Sequence, residues 1–123
     1  MIFRTKTSKK TMDIFKAIYA REHLQPFALS KIAIALAIRK NYKYDNKETD
    51  VQGLELNRQT ITGNYDLLYK KLIENNEGRS LSDEEYFPKY LKAYLDYGAS
   101  LLEHEYKYTN DFYRHLVELD KGI

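Results

Sequence analysis

A mainly α-helical fold with one short N-terminal β-strand is predicted by three observations on this chain of 123 residues. Apolar residues recur at helical spacing in several segments, only 5 glycines and 2 prolines interrupt the chain, and capping residues precede the periodic segments. A chain of this length supports a single hydrophobic core. The sequence therefore predicts one domain over residues 1–123, with a basic part over 1–40 and a small helical bundle over 53–123.

The first element is a short strand within IFRTKTS, residues 2–8. β-Branched and aromatic residues alternate there with the basic residues Arg4 and Lys6, so the two kinds of side chain would lie on opposite faces of a strand. A strand this short needs a partner strand. The sequence leaves open where that partner comes from.

Two helices should follow the strand. Ser8 can cap the first, in which apolar residues make one stripe, and this helix should end near residues 23–24 because Gln25 precedes a proline. Pro26 suits the first position of the second helix. From Phe27 to Ile38 that helix is apolar almost all round, a pattern typical of a helix covered on most sides. In so small a chain it indicates a subunit interface.

A polar loop is predicted over residues 40–52, and a third helix follows it. Its apolar residues have the spacing i, i+3, i+4, i+7 and i+8, which predicts one buried face. The residues of that face are Tyr65, Leu68, Tyr69, Leu72 and Ile73. Thr62 or Asn64 would cap this helix, and it should end within residues 75–78.

A long fourth helix is predicted from Ser82, which begins a capping box with Glu85. The row of tyrosines at 86, 90, 94 and 97 has two interpretations, a stacking platform for bases or part of the core, and the acidic character of the helix favours the core. Gly98, in mid-helix, predicts close approach of another backbone. A last helix, capped by Asn110, is predicted over residues 111–119.

The charge is distributed unevenly along the chain. Residues 1–44 contain ten Lys or Arg and two acidic residues, a net charge of +8, whereas the remainder has a net charge of −6. Such asymmetry favours a polyanionic partner for the basic part, and nucleic acid is the commonest one. A set of solvated helix faces would explain the same charges. The candidate DNA-contacting residues are Arg4, Lys6, Lys9, Lys10, Lys16, Arg21 and Lys31.

No catalytic or metal-binding pattern stands out, so a non-enzyme without a cofactor is expected. The chain has no cysteine, and His23, His104 and His115 do not have the spacing of metal ligands. Neither a phosphate-binding glycine motif nor a nucleophile elbow occurs. The longest apolar run, residues 32–38, is far shorter than the ~20 residues of a membrane span. A cytoplasmic location is the default expectation.

The order strand, helix, helix over residues 2–40 matches the ribbon-helix-helix design. In that design two copies pair their first strands into a ribbon and bury their second helices against each other. Arg4 and Lys6 would then project from the ribbon, and the backbone N–H groups near Phe27 and Ala28 would be available to a phosphate. A monomeric helix bundle with a disordered basic N-terminus is the competing interpretation.

The stretch GLELNRQTITGNYD, residues 53–66, resembles the motif of the DndE proteins of bacterial DNA phosphorothioation systems. The Leu24-Gln25-Pro26 segment and the late helix around Gly98 are also similar to that family. The motif contributes the residues Asn57, Arg58, Thr60, Thr62, Gly63 and Asp66. Arg58 has two possible roles, either locking the loop onto carbonyls or Asp66 or reaching a DNA phosphate, and the location of the basic surface elsewhere favours the lock.

The resemblance implies a DNA-binding, non-catalytic scaffold subunit of the phosphorothioate modification complex. It also implies a homo-oligomer, with a tetramer expected, a preference for nicked duplex, and contacts with other subunits of the complex. A ribbon-helix-helix transcription regulator, a nuclease and a purely structural adaptor are the alternatives.

Overall fold

The structure is a computed structural model that describes residues 2–107 together with 114, 116 and 117. In these residues, short strands β1 and β2 accompany six α-helices, one turn of 3₁₀ helix and one π-helical segment. In chain order these are β1 (Arg4–Lys6), α1 (Lys9–Glu22), α2 (Pro26–Arg39), β2 (Glu55–Asn57), α3 (Arg58–Ile61), the 3₁₀ turn (Gly63–Tyr65), α4 (Asp66–Glu77), α5 (Asp83–Glu85), the π-helical segment (Tyr86–Leu91) and α6 (Lys92–Lys107). The predicted fold class, mainly helical with a small bundle, is confirmed.

Local capping signals set most of the helix ends. The Ser8 side chain accepts a hydrogen bond from the Thr11 N–H at the start of α1, and α1 ends at His23 with a left-handed φ of 60°. Pro26 is the first residue of α2, as predicted. Ser82 and Glu85 make both hydrogen bonds of a capping box, so the start of the last long helical stretch is also confirmed.

The partner of strand β1 lies in the same chain. β1 pairs antiparallel with β2, with Thr5 opposite Leu56, and both residues are buried while Arg4 and Lys6 stay exposed. Gly53 lies next to this sheet, and a Cβ there would be 2.1 Å from the Ser8 carbonyl oxygen. One edge of β1 therefore pairs within the chain, because the motif segment supplies a strand that periodicity did not reveal.

Helix α2 packs along α6, and this contact is the main helix pair of the bundle. The two backbones approach so closely that a Cβ at Gly98 would be 1.8 Å from the Ala33 carbonyl oxygen, which confirms the reason predicted for this glycine. Within the chain, α6 thus covers much of the apolar surface of α2. Its uncovered side is a row with spacing of four residues: Phe27, Lys31, Ala35 and Arg39.

Helix α4 differs from the prediction at its start and on its predicted buried face. Asn57, not Thr62 or Asn64, is the side-chain cap of this region, because the chain first makes the short helix α3. The predicted apolar face is only partly buried. Ile73 is fully buried, whereas Leu68 and Leu72 are 54% and 41% exposed.

The tyrosine row belongs mostly to the core. Tyr86 and Tyr94 are fully buried and Tyr90 is 7% exposed, which favours the core interpretation of this row. Tyr97 is partly exposed and stacks on Tyr42, with 4.3 Å between ring centroids. Burial raises the pKa of the Tyr42 hydroxyl to about 12, with the nearby carboxylates contributing in the same direction.

The segment 41–52 has no regular structure, as predicted, but a buried carboxylate holds it in place. Asp96 Oδ1 accepts hydrogen bonds from the Ser8 N–H (3.1 Å) and the Thr11 hydroxyl (2.7 Å). Asp96 Oδ2 accepts from Lys92 Nζ (2.7 Å) and from the Thr49 hydroxyl. Asp96 therefore joins α6, the start of α1 and this loop. The helix predicted over 111–119 lies mainly outside the described residues.

Candidate nucleic-acid interface and the Arg58 cluster

The basic residues predicted to bind DNA are all exposed. On α1 they occupy the solvent side, opposite the buried Ile14, Phe15 and Ile18. Lys9 and Lys16 are seven residues apart, which is close to two helical turns, so they lie on one line along the helix. Lys10 and Arg21 lie roughly 100° and 120° round the helix from Lys9, and the guanidinium carbon of Arg21 is 5.8 Å from the Tyr106 ring centroid. We call the exposed side of α1 that carries Lys9, Lys10, Lys16 and Arg21 the α1 basic face.

The β1 residues contribute two more cations next to the start of α1. Arg4 forms an exposed ion pair with Glu55 on β2 at 3.7 Å, and Lys6 is the register partner of Glu55. An exposed pair of this kind contributes little to stability, so Arg4 can exchange Glu55 for another anion at low cost. Both side chains project from the exposed side of the sheet, as the sequence predicted.

Lys31 is placed differently from the other candidates. It lies on the uncovered row of α2, where its ammonium is 5.6 Å from the ring centroid of Phe27. Arg39 belongs to the same row and was missed, although its spacing of eight residues from Lys31 is a visible signal. The sequence predicted that the N–H groups near Phe27 and Ala28 would be available to a phosphate. The Ala28 N–H already donates to the Gln25 carbonyl at 3.0 Å, so it is not free for that role.

Arg58 of the NRQTITG segment is buried, with only 6% of the residue exposed. Its Nε and Nη2 atoms donate to Asp66 at 3.1 and 2.7 Å, which is a bidentate pair. Its Nη2 and Nη1 atoms donate to Asp83 at 2.8 and 3.3 Å, and Nη1 also donates to the Ile2 carbonyl at 2.8 Å. These contacts use all five N–H donors of the guanidinium. The lock interpretation of Arg58 therefore fits the geometry.

Aromatic rings and hydroxyls complete this arrangement, which we call the Arg58 cluster: Arg58, Asp66, Asp83, Thr62 and Tyr86. The guanidinium carbon of Arg58 lies 5.3 Å from the Tyr86 ring centroid, and a similar contact with Phe87 is 4.8 Å long. The Thr62 and Tyr86 hydroxyls lie 2.7 and 3.0 Å from Asp66 Oδ1. Both carboxylates are thus held by several donors.

The pKa values of Arg58, Asp66 and Asp83 are displaced in favour of the charged forms. Burial by itself lowers the pKa of Arg58, but the hydrogen bonds to Asp66 and Asp83 outweigh it and raise this pKa. The pKa of Asp66 is lowered, because the bonds from Arg58, Thr62 and Tyr86 exceed the opposing effect of burial. The bond from Arg58 also lowers the pKa of Asp83. The guanidinium and the two carboxylates are therefore ionised near neutral pH.

The other motif residues have local roles. Asn57 accepts a hydrogen bond from the Gln59 N–H at 2.8 Å and caps α3. Gly63 adopts a positive φ of 50° between α3 and α4, and Thr60 is exposed. Asp83 lies far from this segment in sequence, so no spacing signal could have identified it as the second carboxylate of Arg58.

Comparison with known proteins identifies the family. The family model for the DNA sulphur modification protein DndE matches residues 4–110, which is most of the chain. The chain belongs to the DndE family. The match includes β1, the α1 basic face and the Arg58 cluster, so the resemblance read from residues 53–66 is confirmed.

Two solved structures share the fold at low sequence identity. A crystal structure of DndE from Escherichia coli B7A, described as involved in DNA phosphorothioation modification, has a TM-score of 0.68 and 17% identity, covering 83% of this chain and 97% of that one. A DndE G21/24K mutant involved in DNA phosphorothioation has a TM-score of 0.65 and 18% identity, covering 85% and 99%. No curated protein matches the chain.

Neither a metal site nor a membrane span is found in the part of the chain that the structure describes. Over residues 2–107, 114, 116 and 117, no three His, Asp or Glu side chains are grouped so that they could hold a metal ion. In the same residues, every helix is too short or too polar to traverse a bilayer.

Proposed function

We propose that this member of the DndE family is a non-catalytic scaffold subunit that binds the phosphate backbone of duplex or nicked DNA in the phosphorothioate modification complex. The observation that carries the proposal is the α1 basic face, with four cations on one side of a helix and Arg4 and Lys6 beside its start. Lys and Arg on an exposed helix neutralise phosphates without reading bases.

The absence of catalysis is part of the proposal and has its own support. Asp66 and Asp83 are the two carboxylates of the Arg58 cluster, and Arg58 binds both through four hydrogen bonds. A carboxylate bound in this way is a poor base or metal ligand because its lone pairs are already used. Sulfur transfer would then belong to other subunits, since the chain has no cysteine.

Self-assembly and location complete the proposal. The chain is proposed to act in the cytoplasm as a homo-oligomer, with a tetramer as the expected state, and to contact other subunits of the complex. The resemblance to the DndE family implies this oligomer and these subunit contacts, and the chain's membership of that family supports them. In such an assembly several α1 basic faces would act together, so that weak individual phosphate contacts add up along one duplex.

The salt dependence of DNA binding tests the proposal. Each neutralised phosphate adds about −0.9 to the slope of log affinity against log salt, so two protomers that each engage three or four phosphates give a slope of roughly −6. Fluorescence anisotropy with a labelled intact duplex and a labelled nicked duplex, at several salt concentrations, measures this slope. Affinity that does not change with salt, or no binding at low salt, would contradict the proposal and favour a protein-only adaptor.

Two controls separate the alternatives. A strong preference for one sequence in a binding-site selection would favour a transcription regulator, because phosphate contacts carry no sequence information. Cleavage of nicked DNA on addition of Mg²⁺ or Mn²⁺ would indicate a nuclease.

A further inference from the structure

Helix α6 buries an ion pair on the side that contacts the start of α1. Lys92 and Asp96 are one helical turn apart, and their ammonium and carboxylate groups are 2.7 Å apart. Only 10% of the Lys92 side chain and 3% of the Asp96 side chain are exposed. Neither residue belongs to the α1 basic face or to the Arg58 cluster, so the proposed function does not account for them.

Stability is a weak reason for such a pair. Burying two charges carries a desolvation cost that their attraction barely offsets, and two apolar residues of similar volume often stabilise a fold equally well. Apolar residues do not provide a set of hydrogen bonds with fixed directions. The hydrogen-bond partners of the pair therefore indicate what it does.

Asp96 holds the beginning of α1. Its Oδ1 atom accepts hydrogen bonds from the Ser8 N–H at 3.1 Å and from the Thr11 hydroxyl at 2.7 Å. Ser8 in turn caps α1, because its side chain accepts from the Thr11 N–H at 3.1 Å. Lys9 and Lys10 lie between these two residues. Asp96 thus fixes the chain on both sides of two cations of the α1 basic face.

Lys92 holds the same turn of α1 through the loop that precedes β2. Its ammonium donates to the Asp96 carboxylate, to the Thr49 hydroxyl at 2.6 Å and to the Asp50 carbonyl at 2.9 Å, which uses all three N–H groups. The Asp50 carboxylate then accepts from the Lys9 N–H at 2.8 Å. A second path from α6 therefore ends at the backbone of Lys9.

These contacts satisfy backbone groups that a helix leaves unpaired. The first four N–H groups of an α-helix have no partner within the helix, so helix ends fray. Three of these groups in α1 have side-chain acceptors: the Ser8, Lys9 and Thr11 N–H groups bond to Asp96, Asp50 and the Ser8 hydroxyl. The first turn of α1 is therefore held in one conformation by bonds that depend on the Lys92–Asp96 pair and its loop partner.

We propose that the Lys92–Asp96 pair positions the first turn of α1, so that Lys9 and Lys10 meet DNA phosphates without first losing backbone freedom. A surface that is ordered beforehand loses less conformational entropy on binding. The inference rests on the proposed function. It assigns the pair a positioning role, because Lys92 has no N–H group left for a phosphate and Asp96 is an anion.

A variant with unchanged net charge tests this inference in the whole chain. Lys92→Met with Asp96→Leu removes one positive and one negative charge, so the overall attraction to DNA stays the same. We expect duplex affinity, measured by fluorescence anisotropy, to fall roughly five-fold and the salt slope to become less steep, because the two cations engage phosphates less often. The matched control is Arg79→Gln with Glu85→Gln, which removes an exposed ion pair elsewhere and should leave DNA affinity unchanged.

Amide hydrogen exchange measures the positioning itself, without DNA. In the Lys92→Met, Asp96→Leu variant the amides of residues 9–12 should exchange roughly ten-fold faster than in wild type, while those of α4 keep their rates. Thermal unfolding should show an intact cooperative transition, because an apolar pair replaces the buried ion pair. Faster exchange with unchanged DNA affinity would mean that the pair is only structural, and it would overturn the inference.

A double-mutant cycle identifies the residues through which the pair acts. Lys9→Gln with Lys10→Gln removes the two cations, and in that background the loss of the Lys92–Asp96 pair should change DNA affinity by less than about two-fold. An equal loss of affinity in both backgrounds would contradict the inference, since the pair would then act on other contacts.

Asp96→Asn keeps the test decisive if the double variant does not fold. The asparagine oxygen can still accept from the Ser8 N–H, whereas its NH₂ group cannot accept from Lys92. This variant gains a positive charge, which alone would strengthen DNA binding, so a weaker affinity would support the positioning role and a stronger one would refute it. Wild-type protein that does not bind DNA would refute the proposed function, whereas wild-type binding that the pair variants leave unchanged would refute this inference alone.

Discussion

Arg58 and Asp66 are joined by two hydrogen bonds, from Nε to Oδ1 at 3.1 Å and from Nη2 to Oδ2 at 2.7 Å. Because Arg58 is the first residue of α3, directly after β2, and Asp66 is the first residue of α4, this pair fixes the angle between α3 and α4. Arg58 also donates hydrogen bonds to Asp83, the first residue of α5, and to the Ile2 carbonyl, which precedes β1. The Arg58 side chain thus connects its own helix α3 to α4, to α5 and to the chain before β1.

The first prediction concerns the loss of this guanidinium. Arg58→Ala would leave Asp66 and Asp83 close together without their cation, and we expect the free energy of unfolding to fall by about 3 kcal/mol. Arg58→Lys should lose most of the same stability, because an ammonium cannot make the bidentate contact. Urea denaturation monitored by circular dichroism measures both.

Arg79 provides the matched control for Arg58. Its ion pair with Glu85 is 2.8 Å long, but half of the Arg79 side chain is exposed, so Arg79→Ala should cost at most about 1 kcal/mol. Equal losses in the two alanine variants would contradict a structural role for the Arg58 cluster.

The second prediction concerns the loss of folding stability at low pH. The pKa values of Asp66 and Asp83 are lowered in the folded chain relative to the unfolded value of about 3.9. Their contribution to stability is therefore complete above about pH 5 and is lost as the pH falls through the folded pKa values. Thermal unfolding between pH 7 and pH 3 should show a falling Tm. Asp83→Asn should have a lower Tm at pH 7 and a shallower fall than wild type.

An exposed carboxylate serves as the control for the acid prediction. Asp13→Asn, on the solvent side of α1, should leave the shape of the pH profile unchanged. If the Asp83→Asn profile runs parallel to that of wild type, the linkage assigned to the Arg58 cluster is wrong.

The third prediction concerns Gly98. Alanine normally stabilises a helix interior over glycine by about 1 kcal/mol, but at this position its Cβ would overlap the Ala33 carbonyl oxygen. We expect Gly98→Ala to destabilise the protein by about 2 kcal/mol or more, since α2 and α6 must separate to admit it. Thermal unfolding measures the change: Gly98→Ala should lower Tm. A higher Tm would show that the α2 and α6 backbones do not approach as closely as the Ala33–Gly98 contact indicates.

The fourth prediction concerns the α1 basic face. Lys9→Glu together with Lys10→Glu should weaken DNA binding at least ten-fold and make the salt slope less steep by roughly 3 to 4, because two engaged protomers together lose about four phosphate contacts. Lys70→Glu with Lys71→Glu makes the same charge change on α4 and should alter DNA affinity far less. Light scattering should find the oligomeric state of both variants unchanged.

Local signals made much of the fold predictable. The Ser8 cap, the Pro26 start and the Ser82 capping box involve residues within one turn of each other, so the ends they set could be read directly from the sequence. The close approach of another backbone at Gly98 was predictable as well, because few other features explain a glycine in the middle of a helix.

Contacts between distant segments were not predictable in the same way. The pairing of β1 with β2 depends on Glu55–Asn57, a segment too short for its alternation to predict a strand, and the Arg58 to Asp83 contact has no fixed spacing. Periodicity also predicted a fully buried face for α4, yet Leu68 and Leu72 are exposed. A periodic apolar pattern indicates that a face will be covered, but not that the same chain covers it.

The contact between Ala33 and Gly98 also has a consequence for synthesis on the ribosome. β1, α1 and α2 leave the ribosome first, whereas the helix that covers α2 is among the last described elements to emerge. Leu29 and Ile34, which are fully buried in the finished chain, have no partner on α6 until then. At 5–20 residues per second, roughly, the exposed interval lasts several seconds. A nascent chain stalled before α6 would therefore be prone to aggregation and to degradation.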